Sequence, residues 1–356
     1  MNWLIIFTVV LGVLAVARLL KVMELSAALR GGDVNDITED NNKNNALTWI
    51  VFGVLFFYAF YWQVKNYGAL LLPESASEHG LKTDMLFDVS MWIITPTFFA
   101  THIFLFYYIF KYYHRKGQKA TFFAHSTKLE LIWTVIPTIV LTSLIVYGIG
   151  TWNEITTPAP QETMVIELYA KQYDWTARYA GKDNQLGKAS FRLIDGVNAL
   201  GIDVKDEAAS DDKIVRGEFH IPVGKSVNFK FHSRDVIHSA YMPHFRAQMN
   251  CVPGMETMLH FVPTITTAEM RVKTGNDKFD YLLLCNKICG AFHFNMQMKI
   301  VVESQEEFDK WISEKKTFAQ EIAPPAPVAA TVDSAAVAAD STKVDSATVK
   351  VVAQVH

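Results

Sequence analysis

Four long apolar runs fill the first 152 positions, and beyond them the hydrophobic pattern changes period. Asn2 to Ala17 is uncharged, and Arg18, Lys21 and Arg30 follow it. A cleaved signal peptide carries its positive charge ahead of the apolar run, so this order predicts a short membrane helix with its N-terminus outside. Ala46 to Val64 is also uncharged, with Trp49, Tyr58, Tyr61 and Trp62 towards its ends, the aromatic belts of a spanning helix. Val89 to Phe110, which contains Pro96 and His102, and Leu129 to Gly150 complete the set. Gly31 to Asn45 and residues 65 to 88 read as polar loops between spans. Residues 111 to 128 hold five Lys or Arg and no Asp or Glu, which places that loop in the cytoplasm. Everything after Trp152 then lies outside it, which in a bacterium, with the helices crossing the inner membrane, means the periplasm.

From Glu162 the period is two. Met164 to Ala170, Val227 to Phe231 and Met298 to Val302 read as strands, with turns at Pro222-Val-Gly224 and Pro253-Gly254. Short strands with such punctuation suggest an all-β sandwich. Ser304 to Lys316 predicts a closing helix: Ser304 and Glu307 make a capping box, and Phe308, Trp311 and Ile312 share a face. After Ala323 the chain is low-complexity Ala, Val, Pro, Ser, Asp and Lys, a disordered tail by composition. The expected organisation is therefore two membrane helices with polar loops over 1–87, two further membrane helices over 88–152, a β domain over 153–320 and a tail over 321–356.

Composition adds little to this division. The 356 residues carry a formal charge of −3, so nothing global points to nucleic acid. Three cysteines make no disulfide framework, and Cys251 reads as a small buried residue. The other two open the chemistry. Cys285-Asn-Lys-Ile-Cys289-Gly-Ala-Phe-His293-Phe-Asn-Met296 places two thiols, an imidazole and a thioether in one short loop, with His238 upstream. Soft sulfur ligands beside imidazole select copper over hard cations, while a zinc finger wants a second pair at finger spacing. A mononuclear blue-copper ion takes two His, one Cys and a distant Met, so the surplus thiolate argues for two coppers bridged by both sulfurs. The alternative, buried core thiols or a disulfide, leaves His238, His293 and Met296 unexplained.

Asp235-Val-Ile-His238-Ser followed by this C-x-x-x-C-x-x-x-H-x-x-M pattern resembles subunit II of haem-copper cytochrome c oxidases, and the likeness runs over about residues 88 to 318. The resemblance implies membrane helices followed by a cupredoxin-like sandwich holding a dinuclear copper centre, CuA. Cys285 and Cys289 would be the bridging thiolates, His238 and His293 terminal ligands, Met296 a weak axial ligand, and the Lys287 carbonyl the opposite one. Most relatives carry Glu where Lys287 stands, and that carboxylate binds a magnesium ion shared with subunit I. An ammonium group has donors only, so no interface magnesium is expected here. Lys171-Gln-Tyr173-Asp-Trp175 resembles the family's aromatic inlet for electrons, with Tyr173 where Trp is common; ordinary strand packing is the other reading. Glu130 matches the mouth of a proton-uptake path, or caps a helix N-terminus.

The implied function is that of the subunit through which electrons enter a respiratory oxidase. A periplasmic cytochrome c, or a cytochrome domain of a neighbouring complex, would be the donor, and oxygen would be reduced at haem in subunit I. No C-x-x-C-H occurs, so no haem is expected in this chain. Asp203, Asp206, Glu207, Asp211 and Asp212 form either a docking patch for a basic donor or a solvated loop. A quinol-oxidase subunit would lack the copper ligands. The copper domain of a nitrous oxide reductase would be soluble and joined to a propeller. A membrane-tethered copper-delivery module is the alternative of another class.

Overall fold

The computed structural model describes residues 2–29, 37–160 and 162–322. Helices α1 (Asn2–Leu29), α2 (Glu39–Tyr67), α3 (Glu78–Lys111) and α4 (Thr127–Thr156) are each long and apolar enough to cross a membrane. All four reach further than their apolar runs predict: α1, read from the sequence as a short helix over Asn2 to Ala17, continues through Arg18 and Lys21 to Leu29. Helix α2 begins at Glu39 because Thr38 accepts the Asn41 N–H and Glu39 and Asp40 complement the positive end of the dipole. Helix α3 begins at Glu78, eleven residues before the apolar run, with Ser77 as its N-cap. Local capping thus converts polar stretches that read as loops into helix. The low-complexity tail from residue 323 lies outside the described residues.

Helix α2 lies against α3 through an aromatic ladder in which Phe56 and Phe60 meet Phe98 at ring distances of 5.9 and 5.1 Å. Gly53 makes the closest approach, since a Cβ there would lie 2.8 Å from the Phe106 ring. The Lys116 N–H donates to the Glu39 carboxylate, so the start of α2 and the α3–α4 loop lie on one side.

The β domain runs through β1 (Met164–Lys171), β2 (Asp174–Tyr179), β3 (Lys213–Arg216), β4 (Glu218–Pro222), β5 (Val227–Ser233), β6 (His238–Met242), β7 (Ala247–Cys251), β8 (Thr257–Phe261), β9 (Tyr281–Cys285) and β10 (Gln297–Glu303). Two five-stranded sheets result, ordered β3-β2-β1-β5-β8 and β4-β10-β9-β6-β7. Strand β1 runs parallel to β5 and β10 parallel to β4, and the other pairs are antiparallel. Alternation decides which side chains enter: Val227, Phe229 and Phe231 are fully buried while Asn228, Lys230 and His232 are not. They meet Trp175, Phe219, Ile221, Phe245 and Leu283 between the sheets. Helix α5 (Thr267–Thr274) follows β8, and α6 (Gln305–Ser313) closes one end through the predicted Ser304–Glu307 box. A last short helix, α7 (Phe318–Ile322), buries Phe318.

An insertion between β2 and β3 covers the outer face of the first sheet. One buried arginine holds it: Arg178 donates to Asp212, to the Gly187 carbonyl and, at 3.1 Å, to Glu167. Glu167 lies 2.8 Å from the His232 ring, which extends the charged row to Glu256 at 3.6 Å.

Candidate metal centre

The site forms where β6, β9 and the loop after β9 converge. His238 is the first residue of β6 and is fully buried. Cys285 ends β9, and the following loop carries the other donors before β10 begins. Its ends are closed by the Cys285 N–H donating to the Met296 carbonyl at 3.0 Å and the Asn286 N–H to Ser239 at 2.9 Å. A 3₁₀ turn over His293–Asn295 brings the imidazole back towards the thiols.

The donors are arranged in two halves. The sulfurs of Cys285 and Cys289 are 3.9 Å apart, well beyond a disulfide bond of about 2.05 Å. Cys285 Sγ lies 3.7 Å from His238 Nδ1 and 3.2 Å from the Lys287 carbonyl. Cys289 Sγ lies 3.7 Å from His293 Nδ1 and 3.8 Å from Met296 Sδ. All six groups named from the sequence therefore come together. Burial and the neighbouring Cys285 push the Cys289 thiol up to about 11, so a metal entering here displaces a held proton. Cys251 sits opposite His238 in the β6–β7 pair, is fully buried, and is pushed up to about 12 by burial.

A second layer holds these donors in place, and of its members sequence reasoning assigned a role to Tyr173 alone, as part of an electron inlet. Asp235 accepts from His238 Nε2 at 2.8 Å, which leaves Nδ1 bare towards Cys285. Burial opposes charge on Asp235, but the Gln172 N–H, the His238 ring and the Val236 N–H outweigh it and hold the carboxyl below its usual range. The β1–β2 tip reaches across: Gln172 Nε2 donates to the Cys289 carbonyl, and the Ala291 N–H to the Tyr173 hydroxyl at 3.1 Å. Gly290 has φ 144°, and a Cβ there would lie 2.3 Å from that hydroxyl, so only glycine fits. Asp235, three residues before His238, carries a weak sequence signal for its role. Gln172 carries none.

Tyr173 is half-buried against Phe292, with ring centroids 5.5 Å apart. Trp175 is fully buried, 6.3 Å from the His238 ring, and its indole N–H has no hydrogen-bond partner among the described residues. Ile288, Phe292 and Phe294 project from the ligand loop with exposures of 86, 59 and 83%. Glu130 is remote from all of this, in the first turn of α4, accepting the Ser126 N–H at 3.4 Å. The acidic run is mostly spent on its own loop: Asp212 is fully buried on Arg178, Asp206 accepts the Lys188 N–H and Asp211 the Lys182 N–H.

The transmembrane domain of Cytochrome C oxidase subunit II matches residues 65–150, and the periplasmic domain of the same subunit matches residues 164–305. An alternative cytochrome c oxidase subunit 2 of Bradyrhizobium diazoefficiens is 32% identical over 237 residues, covering 66% of this chain and 81% of the relative. Cytochrome c oxidase subunit 2 of Thermostichus vulcanus is 28% identical over 291 residues, covering 75% and 84%. Among solved structures, the periplasmic domain of subunit II of the Bradyrhizobium japonicum cytochrome oxidase aligns at 21% identity with a TM-score of 0.30, over 44% of this chain and 95% of that one.

Proposed function

Because this chain belongs to the cytochrome c oxidase subunit II family, we propose that its thiol–imidazole–thioether cluster holds two copper ions sharing both thiolates. The chain is the subunit through which electrons enter a haem-copper oxidase, and its outer domain is a cupredoxin-like sandwich on the periplasmic side. The observation that carries the two-ion reading is the pairing of donors. Each sulfur faces its own imidazole nitrogen at 3.7 Å, and the sulfurs face each other at 3.9 Å. A single copper ion leaves one such half unused.

In this reading His238 and His293 would each hold one copper, with the Met296 thioether and the Lys287 carbonyl as further donors. When bound, the copper pair accepts and releases one electron at a time. The chain's own residues keep that exchange cheap in motion: Asp235 orients His238, and the Gln172 and Tyr173 ties hold the ligand loop against β1 and β2. Trp175, beside His238, and Tyr173, beside Phe292, form the inlet from a periplasmic cytochrome c. Glu130, at the far end of α4, opens a proton path into subunit I. The exposed Lys287 ammonium takes the place of a magnesium ion at that interface. The membrane is the inner membrane of a bacterium, and helices α1 and α2 are an addition to the hairpin of α3 and α4.

Copper titration of the purified chain tests the centre. Two coppers per chain and one unpaired electron shared over two copper nuclei are expected. Cys285→Ser abolishes the shared signal, whereas Met296→Leu retains it with a shifted potential. A hyperfine pattern from one copper nucleus overturns the bridged centre, and weakly held copper with no shared spin favours the copper-delivery alternative.

A further inference from the structure

Arg246 stands out on backbone grounds before its side chain is considered. It has φ 50° and ψ 32°, a left-handed conformation that glycine or asparagine adopts more readily. An arginine kept there is held by its contacts, and those contacts join three separate parts of the molecule. Nε and Nη2 donate to the two carboxylate oxygens of Asp84 on α3, at 2.6 and 2.9 Å. Nη2 also donates to the Pro73 carbonyl in the α2–α3 connection, and Nη1 to the Pro243 carbonyl at 2.7 Å. The side chain is 8% exposed.

The connection it grips is itself built into the β domain. The Ala76 N–H donates to His244 at 2.7 Å, the Thr264 N–H to Ala76 at 2.8 Å, and the Glu78 N–H to Val262 at 3.1 Å. Ser77 bridges to Pro263, its hydroxyl donates to the Phe245 carbonyl at 2.7 Å, and Ala76 is fully buried in the main core. From Arg246 the chain passes directly into β7, whose last residue, Cys251, pairs with the copper ligand His238. Five residues of strand span about 17 Å. One unbroken strand therefore runs from a bidentate tie on a membrane helix to the edge of the metal centre.

We propose that Arg246, with Asp84, is a positioning residue that sets the place of the copper centre relative to the membrane helices, and hence to the acceptor haem in subunit I. This rests on the electron-transfer reading of the centre. The guanidinium supplies planar, two-point contact that an ammonium cannot reproduce. Its effect falls on the second transfer, from copper to haem, because donor docking and the ligand shell lie at the other end of β7.

The test uses the assembled oxidase. Arg246→Gly keeps the left-handed backbone at no steric cost and removes only the side chain. Arg246→Lys keeps the charge and loses the fork. Both should retain wild-type copper content, spin signal and reduction of copper by the donor. Transfer from copper to haem should slow severalfold, since electron tunnelling weakens with separation and the other ties remain. The distance between the copper spin and a nitroxide at Ser90→Cys on α3 should broaden. Unchanged copper-to-haem transfer, or loss of the copper signal itself, would overturn the assignment. Failure of the electron-transfer reading looks different: the wild-type protein would then show no shared copper spin.

Discussion

At the scale of single residues, Asp235 and His232 show how one sandwich treats two charged groups differently. Asp235 orients the His238 ring. Asp235→Asn keeps one acceptor for His238 but cannot also serve the Gln172 N–H as a carboxylate does. Copper affinity should fall by roughly ten- to a hundredfold with the fold intact, as measured by chelator competition. His232 works on stability. Burial lowers its pKa, but the hydrogen bond and charge of Glu167, helped by Glu256, outweigh that and leave it raised. A raised histidine contributes stability that is complete below about pH 6.5 and is lost as pH rises through the folded value. Thermal unfolding of the copper-loaded protein should therefore show a midpoint that declines from pH 6 to pH 8, and His232→Asn should flatten that decline. Asp212 belongs to the same charged row, and breaking a buried pair costs about 3–5 kcal/mol. Asp212→Asn should accordingly lower the denaturation midpoint sharply, while Glu207→Gln, on an exposed residue, should leave it in place.

Elements carry the next set of consequences. Helix α2 is joined to α3 by close aromatic contact, whereas α4 presents glycines to open space: a Cβ at Gly53 meets Phe106, and one at Gly148 meets nothing within 4 Å. Association of membrane helices depends on such small residues at the contact. Gly53→Leu should separate α2 from α3 and lower the midpoint of thermal aggregation in detergent; Gly148→Leu should not. Equal effects would mean that the aromatic ladder adds nothing to α2–α3 association. The long spans and the edge-to-edge alternation of β5 are plain in the sequence because each obeys one period over its whole length. The true starts of α2 and α3 are not, since Thr38 and Ser77 cap polar turns that resemble loops until the cap is formed. Ala76 is harder still: nothing local distinguishes it from a loop alanine, and its burial exists only once His244 and Thr264 arrive from far along the chain.

For the whole molecule, orientation in the membrane follows from charge and is consistent with contact. Glu39 meets Lys116 on one face, while Ser77 and Pro263 meet on the other, with the β domain. A reporter fused after Lys119 should be cytoplasmic and one after Phe318 periplasmic; the reverse for either would contradict the charge rule. The candidate donor cluster is legible in the sequence because four of its side chains lie within twelve residues at fixed spacing, from Cys285 at the end of β9 to Met296, and such spacing survives without knowledge of the fold. Its supports are not, because Gln172 and Tyr173 reach the loop from a hairpin more than a hundred residues earlier.

Arg178 has a further consequence, one that concerns chain length. By gripping the Gly187 carbonyl and the Asp212 carboxylate together, it ties the neck of the segment from 188 to 211 to the sheet beneath. A loop whose ends are already held together is nearly indifferent to how much chain lies between them, each doubling costing only about 0.6 kcal/mol. That segment is consequently the place where insertions and deletions should accumulate as such domains diverge. The exposed parts of that segment can be lengthened or recharged for new neighbours, whereas Leu200, Ile202 and Ala209, buried with Phe318 against Tyr169 and Ile214, must stay.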